Sequence, residues 1–150
     1  MLKARDIMVR EVVTVKPQTT VEELARTLIE HHISGAPVVD DSGSIVGIVT
    51  ENDLIKKEAR LHIPTVVRIF DAFVYLESSK RFEDDLKKMV ARKVGDICIT
   101  DVVTVDVDTP VTEVAGIMAE RSMHHLPVME EGRMVGIVGK EDIIRAMSMG

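Results

Sequence analysis

Apolar and polar residues follow one another in this chain in an order that occurs twice. The run VVTV, at Val12–Val15 and again at Val102–Val105, predicts a short buried strand in each copy. Apolar residues then recur at helical spacing; they are Val21, Leu24, Ala25, Leu28 and Ile29 in the first copy and Val111, Val114, Ala115, Met118 and Ala119 in the second. Each copy therefore predicts a strand followed by an amphipathic helix.

The start of each of these helices has its own signals. Thr19 and Thr109 are expected to be the N-caps, because threonine oxygens accept hydrogen bonds from free N–H groups at a helix start. Glu22 would complete a capping box in the first copy, and Pro110 would be the first helical residue in the second.

The rest of each copy predicts a β-hairpin that leads into another helix. The tetrapeptides APVV and LPVM predict the second strand, and IVGIV and MVGIV predict the third. Gly43 and Gly132 lie in the intervening turns, where a positive φ is expected. The closing helices are expected to begin near Glu51 and Lys140.

The two copies align over most of their length. Arg5–Ile55 matches Gly95–Ile144 with one gap, opposite Ser42. The identities include the pairs Asp6/Asp96, Thr19/Thr109, Pro37/Pro127, Gly47/Gly136 and Asp53/Asp142. Sequences this similar should adopt one fold, and a half of about 50 residues is too small to hold a good core alone. We therefore expect two repeats that pack on each other and leave two equivalent clefts.

The predicted fold class is α/β (α+β). It consists of two β-α-β-β-α repeats packed by pseudo-twofold symmetry, with a helical and apolar connecting segment. The expected organisation is a first repeat at residues 1–58, a connecting segment with a helix at 59–93, and a second repeat at 94–150.

The turn after the third strand carries candidate chemistry. Thr50 is a good N-cap for the following helix, and Asp53 is at its third position. Free N–H groups at such a helix start attract an anion such as phosphate. The same Thr50-x-x-Asp53 pattern is also a capping box, which needs no ligand. The residues alone leave both interpretations open.

Composition narrows the classes of function. The chain has 150 residues, a net charge of −6 and one cysteine. The acidic balance argues against a duplex-binding surface, so no nucleic-acid partner is expected. A single cysteine cannot form an internal disulfide. No apolar run approaches the roughly 20 residues of a membrane span, and the first residues show no signal peptide. These features favour a cytoplasmic protein without a membrane partner.

The sequence contains no recognisable motif of catalytic residues or metal ligands. Cys98 aligns with Met8, which indicates a buried thiol rather than a nucleophile. GxGxxG and HExxH are absent. The five histidines show no metal-ligand spacing; they are His31, His32, His62, His124 and His125. His31 and His32 follow the first predicted helix, where a cation suits the helix dipole. We therefore expect no enzyme and no metal site.

The connecting segment is not repeated. A helix is expected from about Ser79, with an apolar stripe on one face. The aromatic residues Phe70, Phe73 and Tyr75 precede it. They could cover the outer face of a sheet, stack on a bound adenine, or contact a second copy or another protein. A homodimer through the helices of the repeats or through residues 63–82 is expected.

Together the two copies resemble a tandem cystathionine-β-synthase (CBS) domain pair, also called a Bateman module. The resemblance is carried by residues 14–54 and 104–143, with (A/L)PV, a glycine turn, VGIV and a following aspartate in each. It implies that the protein binds an adenosyl ligand, such as AMP, ADP, ATP or S-adenosylmethionine, without a cofactor.

The resemblance also implies site residues for a first cleft. Asp53 would accept hydrogen bonds from the ribose hydroxyls, and Thr50 would bond a ribose or phosphate oxygen. Backbone groups of the first strand would meet the adenine edge, and the entry to the second strand would form the other wall. The full set for this cleft is Thr14, Val15, Gly35, Ala36, Pro37, Thr50 and Asp53.

The second cleft departs from this pattern. Gly139 replaces Thr50, so one hydroxyl is missing, while Lys140 could meet a phosphate. His124 and His125 replace Ser34 and Gly35 and would either reach phosphates or lie at a loop surface. The full set for this cleft is Thr104, Val105, His124, His125, Leu126, Pro127, Lys140 and Asp142. We expect the cleft beside Thr50 to be the better nucleotide site.

Three functions follow from these observations. The leading one is a non-catalytic regulatory module that senses adenosine nucleotides and signals, by conformational or oligomeric change, to a second copy or an unknown regulated protein. The alternative is a structural scaffold for protein interactions with degenerate clefts. The third is a small nucleotide hydrolase or transferase that uses Asp53 and the histidine pair.

Overall fold

Two β-hairpins, one from each copy of the repeat, form the centre of the fold. The computed structural model of the protein describes residues 1–60 and 92–149. In chain order its elements are α1 (Ala4–Ile7), α2 (Val21–Glu30), β1 (Gly35–Val39), β2 (Ile45–Thr50), α3 (Glu51–Arg60), α4 (Val94–Ile97), β3 (Val105–Asp106), α5 (Val111–Arg121), β4 (His125–Glu130), β5 (Arg133–Gly139) and α6 (Lys140–Met149).

The predicted hairpins are confirmed. β1 pairs with β2 and β4 pairs with β5, both antiparallel, and each pairing has a bulge at the same place in the repeat. Gly43 has φ of 87° and Gly132 has φ of 78°, as the turns require. The mixed α/β class is also confirmed, since amphipathic helices pack against small sheets in both copies.

The predicted first strand is shorter than expected. In the second repeat only Val105 and Asp106 form a strand, β3, parallel to β4. In the first repeat Val15 makes one parallel bridge to Val38. Within residues 1–60 and 92–149, no strand pairs with the residues just before them, where the chain crosses over from the other repeat.

The cap of α2 lies one residue later than predicted. The Glu23 N–H donates to Thr20 Oγ1 at 3.1 Å, and the Thr20 N–H donates to the Glu23 carboxylate at 3.4 Å, so these two residues form the capping box. The Thr19 hydroxyl instead accepts from the Lys16 N–H at 3.0 Å. It closes the preceding turn, and Glu22 forms an ion pair with Arg26 at 2.7 Å.

The start of α5 shows the same shift. Pro110 is the N-cap rather than the first helical residue, which is Val111. Thr109 Oγ1 accepts from the Asp106 N–H at 3.0 Å, so this threonine also closes a turn.

Each repeat's core contains a short helix from the other repeat. Ala4 of α1 is fully buried among Val105, Val114 and Leu126 of the second repeat. Val94 of α4 is fully buried in the first-repeat core, together with Leu24, Leu28, Val38 and Val49. Equivalent backbone hydrogen bonds hold both helices; they are Ala4 N to Thr109 O at 2.8 Å and Val94 N to Thr19 O at 2.8 Å.

The crossing segments then extend the hairpins by one residue each. Val9 pairs with Ile137 through hydrogen bonds of 2.9 and 3.0 Å, and Ile99 pairs with Ile48 through bonds of 2.8 and 2.9 Å. The two repeats are therefore interlocked through exchanged segments. The expected boundaries at 1–58, 59–93 and 94–150 stay a prediction.

The connecting segment lies mostly outside the described residues. The expected helix from Ser79, the aromatic residues Phe70, Phe73 and Tyr75, and His62 all fall there. Within residues 1–60 and 92–149, no helix has the length and apolarity needed to cross a membrane.

Candidate functional site

Two clefts lie between the repeats. The first, here called the Thr50 cleft, has a volume of about 150 Å³ and is lined by Ser34, Ile48, Thr50, Glu51, Asn52, Asp53, Ile99, Asp101, Val102, Val103, Ser122, Met123, His124 and His125. The second, the Lys140 cleft, has a volume of about 610 Å³ and is lined by Val9, Glu11, Val12, Val13, His32, Ile33, Ser34, Gly35, Pro37, Glu51, His124, His125, Ile137, Gly139, Lys140, Glu141, Asp142 and Arg145.

Asp53 is a buried carboxylate at the edge of the Thr50 cleft. It is 8 % exposed and sits at the third position of α3, as predicted. Its Oδ2 accepts from the Thr50 N–H at 2.8 Å and from the Thr50 hydroxyl at 3.3 Å. The carboxylate therefore caps the helix, and both of these hydrogen bonds use the same oxygen.

Asp142 repeats this geometry at the Lys140 cleft. It is also 8 % exposed, and its Oδ2 accepts from the Gly139 N–H at 2.7 Å. Its other oxygen, Oδ1, meets Arg145 Nη1 at 3.4 Å. Because the missing hydroxyl of Gly139 does not change the cap, the aspartate is placed by the backbone in both repeats.

The structure brings together some of the predicted site residues. Thr50, Asp53, His124 and His125 line the Thr50 cleft. Gly35, Pro37, His124, His125, Lys140 and Asp142 line the Lys140 cleft. The others line neither: Val15, Ala36, Val105, Leu126 and Pro127 are buried in the cores, and Thr14 and Thr104 are exposed beside them.

The predicted assignment of lining residues to the two clefts therefore needs correction. The wall beside Thr50 comes from Asp101, Val102 and Val103 of the second repeat, not from Thr14 and Val15. Likewise, Val12 and Val13 of the first repeat face Lys140. The cause is the exchange of lead-in segments, which places the first two residues of each VVTV run in the cleft at the other repeat's helix start. The last residue of each run, Val15 or Val105, stays in the core of its own repeat.

Sequence reasoning missed several lining residues. The exchange of lead-in segments accounts for Glu11, Val12 and Val13 in the Lys140 cleft and for Asp101, Val102 and Val103 in the Thr50 cleft. The others lie after or within helices, and they are His32 and Arg145 in the Lys140 cleft and Ser122 and Met123 in the Thr50 cleft. The repeated VVTV run was the available signal, but nothing local in it shows which repeat it will face.

His125 lies between the two clefts. Its Nε2 is 2.8 Å from Ser34 Oγ, a hydrogen bond that joins the two repeats. Its ring packs so closely on Gly35 that a Cβ there would lie 3.0 Å from His125 Cε1. The pKa of His125 is lowered mainly by burial and to a smaller extent by the neighbouring His124, so this imidazole is neutral at pH 7. His125 is thus an interface residue, whereas His124 is exposed and lines both clefts.

The surroundings of Cys98 agree with the prediction of a buried thiol rather than a nucleophile. It is half-buried against the first-repeat core, beside Gly47, and burial raises the pKa of its thiol. A protonated thiol is a poor nucleophile. In the described parts of the chain, no group of three or more His, Cys, Asp or Glu side chains is placed to hold a metal ion.

Comparison with known families decides the classification. The CBS domain family matches residues 4–60 and 94–149. This chain belongs to the CBS domain family. Its two matched segments form a tandem CBS pair, and the interlocked α/β repeats described above are the fold of that pair.

Relatives support the assignment over nearly the whole chain. The uncharacterized protein MJ1426 of Methanocaldococcus jannaschii is 28% identical, and the match covers 95% of this chain and 89% of the relative. The chloroplastic CBS domain-containing protein CBSX2 of Arabidopsis thaliana is 27% identical over 88% of this chain, which spans 57% of that protein.

Solved CBS pairs share the fold. The CBS pair of protein MJ0100, in complex with 5′-methylthioadenosine and S-adenosyl-L-methionine, superposes with a TM-score of 0.74 at 27% identity, covering 97% of this chain and 99% of that one. CBSX2 in complex with AMP gives a TM-score of 0.73 at 24% identity, covering 99% and 98%. These two relatives bind adenosine derivatives.

Proposed function

We propose that this CBS pair is a non-catalytic regulatory module that binds adenosine nucleotides, or a similar adenosyl ligand, in its clefts. The observation that carries the proposal is the pair of buried aspartates, Asp53 and Asp142. Each is held by its helix start at the edge of a cleft between the repeats. A carboxylate placed in this way suits two hydroxyl donors, such as those of a ribose.

The source of the cleft walls supports a regulatory role. Each cleft is lined by residues of both repeats, so a ligand contacts both at once. A ligand that prefers one relative packing of the repeats shifts the population toward it by its difference in affinity. The hydrogen bond between Ser34 and His125 crosses this junction and borders both clefts, so it would respond to such a shift.

The alternative function, a scaffold with degenerate clefts, is favoured by one observation. Both aspartates already cap a helix and need no ligand to be satisfied. Ligand binding separates the two functions.

Adenosine nucleotides are expected to raise the melting temperature. A ligand that binds only the native state adds about 1.4 kcal/mol to the free energy of unfolding at ten times its dissociation constant. The measurement is differential scanning fluorimetry with AMP, ADP, ATP, NAD and S-adenosylmethionine, with guanosine monophosphate and ribose 5-phosphate as controls. A melting temperature that no adenosyl compound raises would favour the scaffold, and metal-dependent release of phosphate from ATP would favour the hydrolase.

Asp53→Ala is expected to weaken adenosyl binding at the Thr50 cleft at least tenfold, about 1.4 kcal/mol. The loss of the cap also costs about 1 kcal/mol of stability. Asp53→Asn separates the effects, because its amide oxygen can still accept from the Thr50 N–H while the charge is lost. Titration calorimetry on both variants, with Asp142→Asn for the other cleft, checks the assignment. If Asp53→Ala binds the adenosyl ligand with wild-type affinity at both clefts, the role assigned to Asp53 is contradicted.

Homodimerisation through the helices of the repeats, or through residues 63–82, stays a prediction. In its support, α2, α3 and α6 carry exposed apolar side chains, which are Ile29, Ile55, Ile144 and Met147. The segment 63–82 lies outside the described residues. A second copy, or a regulated protein, would receive the signal from the clefts.

A further inference from the structure

The ring of His125 joins the two repeats and leaves one of its nitrogens without a partner. Its Nε2 lies 2.8 Å from Ser34 Oγ, across the junction between the repeats. Its Nδ1 is cut off from solvent and makes no hydrogen bond within the described part of the chain. A neutral imidazole can keep Nδ1 as a bare acceptor while its Nε2–H donates to Ser34. This environment therefore suits the neutral ring.

The space beside Nδ1 is closed by the first repeat. A Cβ at Gly35 would lie 3.0 Å from His125 Cε1, 3.1 Å from His125 Nδ1 and 3.0 Å from Thr50 Cγ2. The ring thus fills a hollow, here called the Gly35 seat, that a larger residue at position 35 would occupy. A proton added to Nδ1 would lie there without an acceptor. Burying a charged donor without an acceptor costs more than leaving a lone pair unpaired.

Charged and titratable groups from several elements share the two clefts that the ring borders. Among the described residues, they are His124 just before β4, Glu51 and Asp53 of α3, Lys140, Glu141, Asp142 and Arg145 of α6, His32 after α2, and Glu11 and Asp101 of the crossing segments. Burial, and then His124, lowers the pKa of His125, whereas Glu51, Asp142 and Glu141 act in the opposite direction without offsetting it. The nearby carboxylates therefore do not hold the ring in its charged form.

The Gly35 seat is connected to the starts of both closing helices. Gly35 pairs with Thr50 in the first hairpin, and His125 pairs with Gly139 in the second. The N–H groups of Thr50 and Gly139 donate to the two buried aspartates that cap α3 and α6. Movement of the ring would therefore act on the junction directly beside both capped turns.

We propose that His125 is an acid-sensitive latch between the repeats. The neutral ring holds the repeats together through Ser34 and the Gly35 seat. Uptake of one proton at Nδ1 drives the ring out of the seat and loosens the packing of the repeats. The latch does not depend on a bound ligand, so its test is independent of the proposed function.

The first measurement is an NMR titration of the His125 ring in the full chain, from about pH 8 to about pH 5, where a histidine changes charge. The midpoint is expected below 6.5, the usual value for histidine. The folded ring then binds fewer protons than the unfolded one. Its contribution to stability should therefore decrease as the pH falls through 6.5, and the decrease should stop once the folded ring is protonated.

The second measurement compares variants. His125→Gln keeps a donor for Ser34 but does not titrate, so its melting temperature should fall less than that of the wild type between about pH 8 and about pH 5. His31→Gln is the matched control, because His31 is exposed and lines neither cleft, and it should match the wild type. The Val9 and Ile99 amides donate across the junction, and their protection from hydrogen exchange should fall in acid in the wild type but not in His125→Gln.

A His125 ring that titrates at or above 6.5 would overturn the inference. An acid-induced loss of melting temperature as large in His125→Gln as in the wild type would do the same, and so would an equal reduction of that loss in His31→Gln. The titration uses the wild type, so it decides the point even if His125→Gln does not fold.

Discussion

Ala4→Asp is expected to lower the free energy of unfolding by about 3 kcal/mol. Ala4 is in a helix of four residues near the N-terminus, ahead of every strand in the chain. It is nevertheless fully buried, and it belongs to the core of the second repeat. A carboxylate at this position would be surrounded by Val105, Val114 and Leu126, which cannot solvate or pair it.

The loss should appear first in the repeat that is distant in sequence. Urea unfolding followed by circular dichroism gives the stability, and amide hydrogen exchange gives its location. The amides of β4 and β5 should lose protection before those of β1 and β2. Val94→Asp should give the mirror-image result, because Val94 fills the same place in the first-repeat core.

Arg10→Asp is the control, since Arg10 is exposed in the same lead-in segment and should change stability by less than about 0.5 kcal/mol. Loss of protection confined to β1 and β2 in Ala4→Asp would show that the lead-in packs on its own repeat, contrary to the exchange.

Gly136→Ala is expected to destabilise the protein by about 2 kcal/mol, whereas Gly116→Ala should stabilise it by up to about 1 kcal/mol. A Cβ at Gly136 would lie 2.5 Å from Met8 Sδ and 3.0 Å from the Val9 carbonyl oxygen. A Cβ at Gly116, in the middle of α5, meets nothing within 4 Å. The same chemical change therefore has opposite expected signs.

The comparison tests how the crossing segment docks on β5. Thermal or urea unfolding of the two single variants gives the signs, and a double-mutant cycle with Met8→Ala gives the coupling. Met8→Ala removes the Sδ and Cγ contacts but not the backbone one, so we expect partial rescue, with a coupling of at least about 0.5 kcal/mol. Gly136→Ala as stable as the wild type would contradict the close approach of this segment.

Local features of the sequence predicted a large part of the fold. The hairpins, the positive φ at Gly43 and Gly132, and the helix start with Asp53 at its third position are all confirmed. Each depends on residues close together in the chain, such as a glycine in a tight turn or an acid three residues after a threonine. The N-caps predicted at Thr19 and Thr109 lie one residue later in the structure, because a threonine hydroxyl can close a turn as readily as it caps a helix.

The sequence by itself therefore determined the duplication, the helix–hairpin–helix order in each repeat and the two acidic helix starts, but not the short helices α1 and α4. Only the tertiary structure decided which repeat each lead-in segment joins, and hence which residues face each other across the clefts. The physical reason is that the two repeats have nearly the same apolar pattern. The helices that carry Ala4 and Val94 hold equivalent positions in the repeat. Only the packing of the whole chain selects the exchanged arrangement, which sets Asp101 in the cleft of Thr50 and Glu11 in the cleft of Lys140.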